Sequence, residues 1–122
     1  MAAIVQAGED VILVRGRGWP EKMFGLVTGF IEAGEQPGDA AVREVREELG
    51  LDAEIVGLVG AYGFFAMNQL IVAYHLRVQG EVQLGEELEA FKRIRITKLR
   101  PWDFGTGAAV RDWLEARGSA SG

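Results

Sequence analysis

The sequence predicts one α/β (α+β) domain in which a mixed β-sheet carries helices on its two faces. Three observations lead there. The chain has 122 residues, enough for one compact domain and too few for two. Its apolar segments follow the order strands, helix, strands, helix, with short links typical of hairpins. Each segment also has the periodicity of its type, close to two for the strands and 3.6 for the helices.

Ala3 to Ala7 and Val11 to Arg15 read as strands joined at Gly8-Glu9-Asp10, a tight-turn composition. The chain starts almost inside its first strand, which leaves two readings: a missing native N-terminal segment or an abrupt beginning. Gly16 to Lys22 reads as a loop, and Phe24 to Ile31 as an extended stretch interrupted by Gly25 and Gly29. Pro37 to Leu49 reads as a helix, with Pro37 in its first turn and Gly50 at its C-terminal end. Glu54 to Tyr62 and Asn68 to Val78 are rich in Val, Ile, Leu and Tyr and read as strands, and Phe91 to Ile96 is a shorter one. Gly107 to Arg117 reads as a second helix, with Val110, Trp113 and Leu114 on one stripe. The expected division is a domain over residues 1–117 and a flexible Gly/Ser tail over 118–122.

Hydrophobic residues make up 48% of the chain, enough for a real core, and there is no cysteine. Thiolate metal sites are excluded, and a cytoplasmic location is expected. No apolar run is long enough to span a bilayer, and Met1 to Ala7 do not read as a signal peptide, so no membrane partner is expected. The formal net charge of -5 argues against a broad surface for a nucleic acid polymer. It is compatible with a phosphate-bearing small molecule if divalent cations stand between acid and polyanion.

The chemistry concentrates in Gly29 to Leu51, GFIEAGEQPGDAAVREVREELGL. At about 100° per residue, Glu44, Glu47 and Glu48 share one helix face, related as i, i+3 and i+4. Ala41, Val42, Val45 and Leu49 fall on the neighbouring face and can pack on a sheet. Three like charges on adjacent turns weaken an isolated helix, and a cation removes that cost. Carboxylate oxygens are hard ligands suited to Mg²⁺ or Mn²⁺, which combine a few carboxylates with substrate phosphate oxygens. The chemistry suggested is metal-assisted attack of water on phosphorus. A solvated acidic face is the competing reading for any such cluster.

The whole stretch resembles the Nudix box, G-x5-E-x7-R-E-U-x-E-E-x-G-U with U aliphatic. Gly29, Glu35, Arg43, Glu44, Val45, Glu47, Glu48, Gly50 and Leu51 fill every specified position. A chance match at one start point is on the order of 10⁻⁹ to 10⁻¹⁰. The resemblance implies the Nudix fold, an α/β/α sandwich with a mixed sheet, and hydrolysis of a phosphoanhydride in a nucleoside-diphosphate-linked, nucleotide-type substrate. It implies metal ligation by Glu44, Glu47 and Glu48 with the backbone carbonyl of Thr28. It also implies a Glu35–Arg43 pair bracing the loop against the helix.

The Gly29-Phe30-Ile31-Glu32 form looks most like NADH pyrophosphatases and related dinucleotide-cleaving members, although their SQPWPFPxS motif is missing. A nucleoside triphosphate pyrophosphohydrolase and a non-catalytic nucleotide sensor are the alternatives. A later acid is expected from Glu86, Glu87 or Glu89, with Glu87 preferred. Arg15, Arg17 and Lys22 could meet phosphates. Phe30, within the box, is a candidate for substrate contact, and Trp19, Tyr62, Phe64 and Phe65 could stack a base; packing competes for the aromatics. His75, the only histidine, is expected to be structural or at the surface. Small relatives often pair, and a chain that starts in a strand leaves a sheet edge to cover, so a homodimer is expected.

Overall fold

The computed structural model describes residues 1–64 and 67–121. Its strands are β1 (Ala2–Ala7), β2 (Asp10–Gly16), β3 (Val27–Thr28), β4 (Ala53–Phe64), β5 (Gln69–Val78) and β6 (Leu88–Arg95). Its helices are α1 (Pro37–Leu49) and α2 (Gly107–Ser121). The strands form one sheet in the order β4-β5-β1-β2-β6, with β3 pairing to the start of β1. The sheet is mixed: β1 runs parallel to β5 and antiparallel to β2 and β3.

β1 is buried along its whole length. Its alternating side chains enter two cores. Ala3 and Val5 join Ile12, Val14, Leu76 and the α1 residues Ala41, Val45 and Leu49. Ala2 and Ile4 join Val11, Leu13, Leu26, Ala73 and the α2 residues Val110 and Trp113. Burying a Leu or Ile side chain such as Leu49 or Ile4 contributes about 1.5–3 kcal/mol, so each helix is held chiefly by its apolar stripe.

Pro37 begins α1, and Gly50 ends it in the left-handed region (φ 68°), its N–H donating to the Arg46 carbonyl. The extended stretch expected over Phe24 to Ile31 is shorter: only Val27–Thr28 is a strand, with a single bridge from Gly25 to Val14. β3 pairs with Ala2 and Ala3, and hydrogen bonding runs one residue further: Gly29 N–H donates to the Met1 carbonyl at 3.1 Å and the Met1 ammonium to the Gly29 carbonyl at 2.7 Å. β6 begins earlier than expected, at Leu88, and Ile96 turns into a short 3-10 helix. α2 continues past Arg117 to Ser121 instead of breaking at Gly118. A glycine inside a helix costs about 1 kcal/mol relative to alanine, which lowers helix content without forbidding it. The start of the chain is not a free edge either. β1 lies inside the sheet, and the edges are β4 and β6, so the edge argument for a homodimer does not apply to β1.

His75 on β5 is buried in the α2-side core, 8% exposed, with the Trp113 ring 4.9 Å away, edge-on. Gln6 Nε2 donates to the Gly8 carbonyl, leaving Gln6 Oε1 to accept from His75 Nε2–H at 2.7 Å. Burial first, then the charges of Arg77 and Arg117, push the imidazole down from 6.5 to about 4. The unfolded chain therefore binds the extra proton more readily. The stability contributed by neutral His75 is full above pH 6.5 and is lost as pH falls toward 4. The loss is on the order of 3 kcal/mol. Denaturant titrations across this window should show a clearly flatter pH slope in His75→Gln. An unchanged slope would assign the acid sensitivity to other groups.

Candidate active site

The site lies beside α1, at the end of the sheet where β3 meets the start of β1 and β5, and four segments meet there. The first is the end of β3. Gly29 follows it, and a Cβ there would stand 2.3 Å from Glu44 Cδ, so the Glu44 carboxylate fills the space that glycine leaves open. The second is the loop from Phe30 to Gln36, which is folded onto α1 by Arg43. Arg43 Nε donates to Glu35 Oε2 (2.8 Å) and Nη2 to Glu35 Oε1 (3.0 Å), a two-pronged pair with directional strength. Nη2 also donates to the Phe30 carbonyl at 3.0 Å. Nη1 reaches Glu44 Oε1 at 2.9 Å and Glu47 Oε2 at 3.3 Å. Glu35 accepts the Glu32 N–H as well. The Arg43 hydrogen bonds hold the Glu35 carboxyl down at about 2, and the guanidinium is raised in turn.

The third segment is the outward face of α1. Glu44 and Glu47 point to the cleft with Glu48 beside them. Glu48 is more buried than a face of three solvated acids suggests, at 8% exposed, because it sits at the border of the packed stripe. Its Oε2 is buried without a hydrogen-bond partner among the described residues. The fourth segment is the turn before β6, which brings Glu87 against Glu48. Burial, then the charges of Glu87 and Glu44, push Glu48 up to about 7. Burial raises Glu44 too.

Together these segments border a cleft of about 710 Å³. One end is acidic, with Glu44, Glu47, Glu48 and Glu87; the other is apolar, with Phe30, Ile31, Leu70 and Ile71. A smaller chamber of about 190 Å³ shares Thr28, Glu48 and Glu87 with it and is bordered by Arg17 and Trp19.

The acidic end fits a divalent cation. All its side-chain donors are hard carboxylate oxygens, one buried oxygen lacks a partner, and the burial that resists ionisation of Glu48 and Glu44 is offset by a nearby positive ion. Among the described residues, no three acidic, imidazole or thiol groups already form a closed ligand set.

Of the other residues named from sequence, Phe30 stands 79% exposed on the cleft, and Trp19 lies over Gly16 and Gly25 at the smaller chamber. Arg15 donates to the Glu21 carbonyl, pairs with Glu89 at 3.6 Å and packs on Phe24. The Arg17 side chain donates to the Glu86 carbonyl. Tyr62 is placed elsewhere: it belongs to the α2-side core and donates to Asp112 Oδ2 at 2.6 Å. Phe64 packs near Gly105, at the loop before α2. Phe65 lies outside the described residues. Leu70 and Ile71 also line the cleft; they fall in the 66–71 stretch that stands where dinucleotide-cleaving relatives carry SQPWPFPxS, and with that motif missing the sequence singled out no residue there as a substrate contact.

The chain matches the NUDIX domain over residues 1–114. It is 40% identical over 73 residues to a Mycobacterium tuberculosis protein named NAD-capped RNA hydrolase NudC, covering 59% of this chain and 23% of that protein. A protein of the same name from Pseudomonas aeruginosa is 31% identical over 83 residues, covering 67% of this chain and 30% of the relative. The chain thus spans less than a third of the length of these curated relatives. Among solved structures, an ADP-ribose pyrophosphatase from Streptococcus suis superposes with a TM-score of 0.76 at 24% identity, covering 95% of this chain and 88% of that one. That likeness concerns the fold, an α+β arrangement on a mixed sheet. No helix among the described residues is long and apolar enough to cross a membrane. A domain match over nearly the whole chain, every box position filled and the box acids gathered on one cleft lead to one assignment: this chain belongs to the NUDIX domain family.

Proposed function

We propose that the chain hydrolyses a phosphoanhydride bond in a nucleoside-diphosphate-linked substrate with Mg²⁺ or Mn²⁺, and that dinucleotides of the NADH type are preferred. The observation that supports this most is the two-ended cleft. Its acidic end suits a metal-bound pyrophosphate, and its apolar end suits a flat base or nicotinamide ring. Glu44, Glu47 and Glu48 would hold the cation, with the Thr28 carbonyl and Glu87 at the same end. When bound, the cation supplies charge neutralisation at phosphorus and an acidified water.

The protein's own contribution is placement. Arg43 fixes the box loop and so the position of Glu44. Glu87 lines the cleft with Glu48 and would take a proton from the attacking water. Phe30, Ile31 and Leu70 are exposed on the cleft and would be covered by a bound ring, which would strengthen the charge interactions beside it.

The names of the relatives also bring a capped RNA into range, because its NAD cap presents the same pyrophosphate. The low overall positive charge argues against wide contact with the rest of such an RNA. The test is a panel of NADH, ADP-ribose, dinucleoside polyphosphates, nucleoside triphosphates and NAD-capped RNA, assayed with Mg²⁺ and with Mn²⁺. The expected result is the highest kcat/KM for NADH. Cleavage of triphosphates without NADH would favour a pool-sanitising enzyme, and cleavage of none would favour a sensor.

A further inference from the structure

The turn that carries Glu87 is fastened on two sides. On the α1 side, Gln83 N–H donates to the Leu49 carbonyl (2.8 Å) and Gly85 N–H to the Glu48 carbonyl (2.9 Å). These bonds satisfy carbonyls that the end of a helix leaves without partners. The approach is close: a Cβ on Gly85 would stand 2.5 Å from the Glu47 carbonyl oxygen, so only glycine fits without moving the turn. On the β2 side, the Arg17 N–H donates to the Glu87 carbonyl at 3.1 Å, and the Arg17 side-chain Nε donates to the neighbouring Glu86 carbonyl. Leu88 N–H closes the turn onto the Gly85 carbonyl. The Glu87 carboxylate is thereby held against Glu48, whose buried Oε2 has no hydrogen-bond partner among the described residues.

We propose that Arg17 is a positioning residue which, together with Gly85, clamps the Glu86–Glu87 turn so that Glu87 completes the cation-binding end of the cleft. Arg17 thus acts on the metal through Glu87, with its side-chain Nε engaged by the turn. This rests on the reading of the acid cluster as a divalent-cation site.

The backbone donor of Arg17 survives any substitution, so side-chain variants loosen one anchor without deleting the turn. Mn²⁺ binding to the substrate-free protein, measured by calorimetry, is the first readout. Arg17→Ala and Gly85→Ala are each expected to weaken Mn²⁺ binding by ~10-fold, the scale for groups that orient metal ligands. Arg17→Lys, which keeps one donor on the side chain, should recover most of that loss. With saturating Mn²⁺ and a substrate the parent cleaves, Arg17→Ala should lower kcat and change KM less than ~3-fold, as for a contact made only in the transition state. In a Glu87→Gln background, adding Arg17→Ala should cost little more, because both changes act on one group.

Unchanged Mn²⁺ affinity in Arg17→Ala with a large rise in KM would overturn the clamp and return Arg17 to the substrate. Full additivity with Glu87→Gln would overturn it as well. A parent protein that binds no Mn²⁺ would overturn both the clamp and the metal reading beneath it.

Discussion

Mn²⁺ or Mg²⁺ is expected to stabilise the folded chain by about 2.7 kcal/mol at a hundredfold excess over the dissociation constant. The cause is the state of the site without metal. Glu44 and Glu48 are both held partly out of water beside Glu47 and Glu87, and burial raises both carboxyls. Glu48 is pushed up to about 7, so it folds with less cost while protonated and adds strain as pH rises through that value. A cation bound only by the folded chain removes the strain and adds its own binding free energy. For a domain of this size the shift in Tm is on the order of 10 °C. The effect should be larger at pH 8 than at pH 6, because the ligands must be deprotonated. NaCl at matched ionic strength should give little, since it only screens. Equal shifts with NaCl and MnCl₂ would mean that no specific site exists on this face.

The parts that could be read from the sequence are those set by local chemistry. Pro37 and Gly50 bound α1 because one suits a first turn and the other adopts the left-handed region at its end. The i, i+3, i+4 spacing puts Glu44, Glu47 and Glu48 on one face, and the glycine at position 29 matters because Glu44 occupies the place of a Cβ there. Glu87, one of three neighbouring acids that the sequence offers, lines the cleft together with Glu48.

What stayed hidden depends on long-range register. β4 slips against β5 between Ile55 and Gly57 and again between Leu58 and Gly60, so counting alternate residues along it fails. Tyr62 lands on the α2 side, bonded to Asp112, and not in the cleft. Arg17 illustrates the same limit. A basic residue in a glycine-containing loop suggests a phosphate contact, yet its partner is a carbonyl 69 positions away that only the β2–β6 pairing brings near. β1 at the start of the chain read as an edge, but its parallel partner β5 arrives from residues 69–78 and covers it.

The second large effect bears on the central claim, that the α1 face bearing Glu44, Glu47 and Glu48 is the catalytic metal site. Glu48→Gln and Glu47→Gln keep size and helix propensity nearly constant while each removes one anionic ligand. Without metal, Glu48→Gln should hold or raise the Tm at pH 8, because it relieves repulsion from Glu87 and Glu44 at a buried position. With metal and a substrate the parent cleaves, each variant should lose at least ~10²-fold in kcat, or roughly 2.7 kcal/mol of barrier. KM should change less, since Phe30 and Leu70 at the other end of the cleft are untouched. Glu32→Gln is the control: its side chain is 68% exposed and its 3.6 Å pairing with Arg43 is a weak surface contact. The measurement is kcat for the parent, Glu47→Gln, Glu48→Gln and Glu32→Gln at saturating Mn²⁺. Collapse is expected in the two box variants and near-parent turnover in the control; parent-like turnover in both Glu47→Gln and Glu48→Gln would contradict the assignment of this helix face as the metal site.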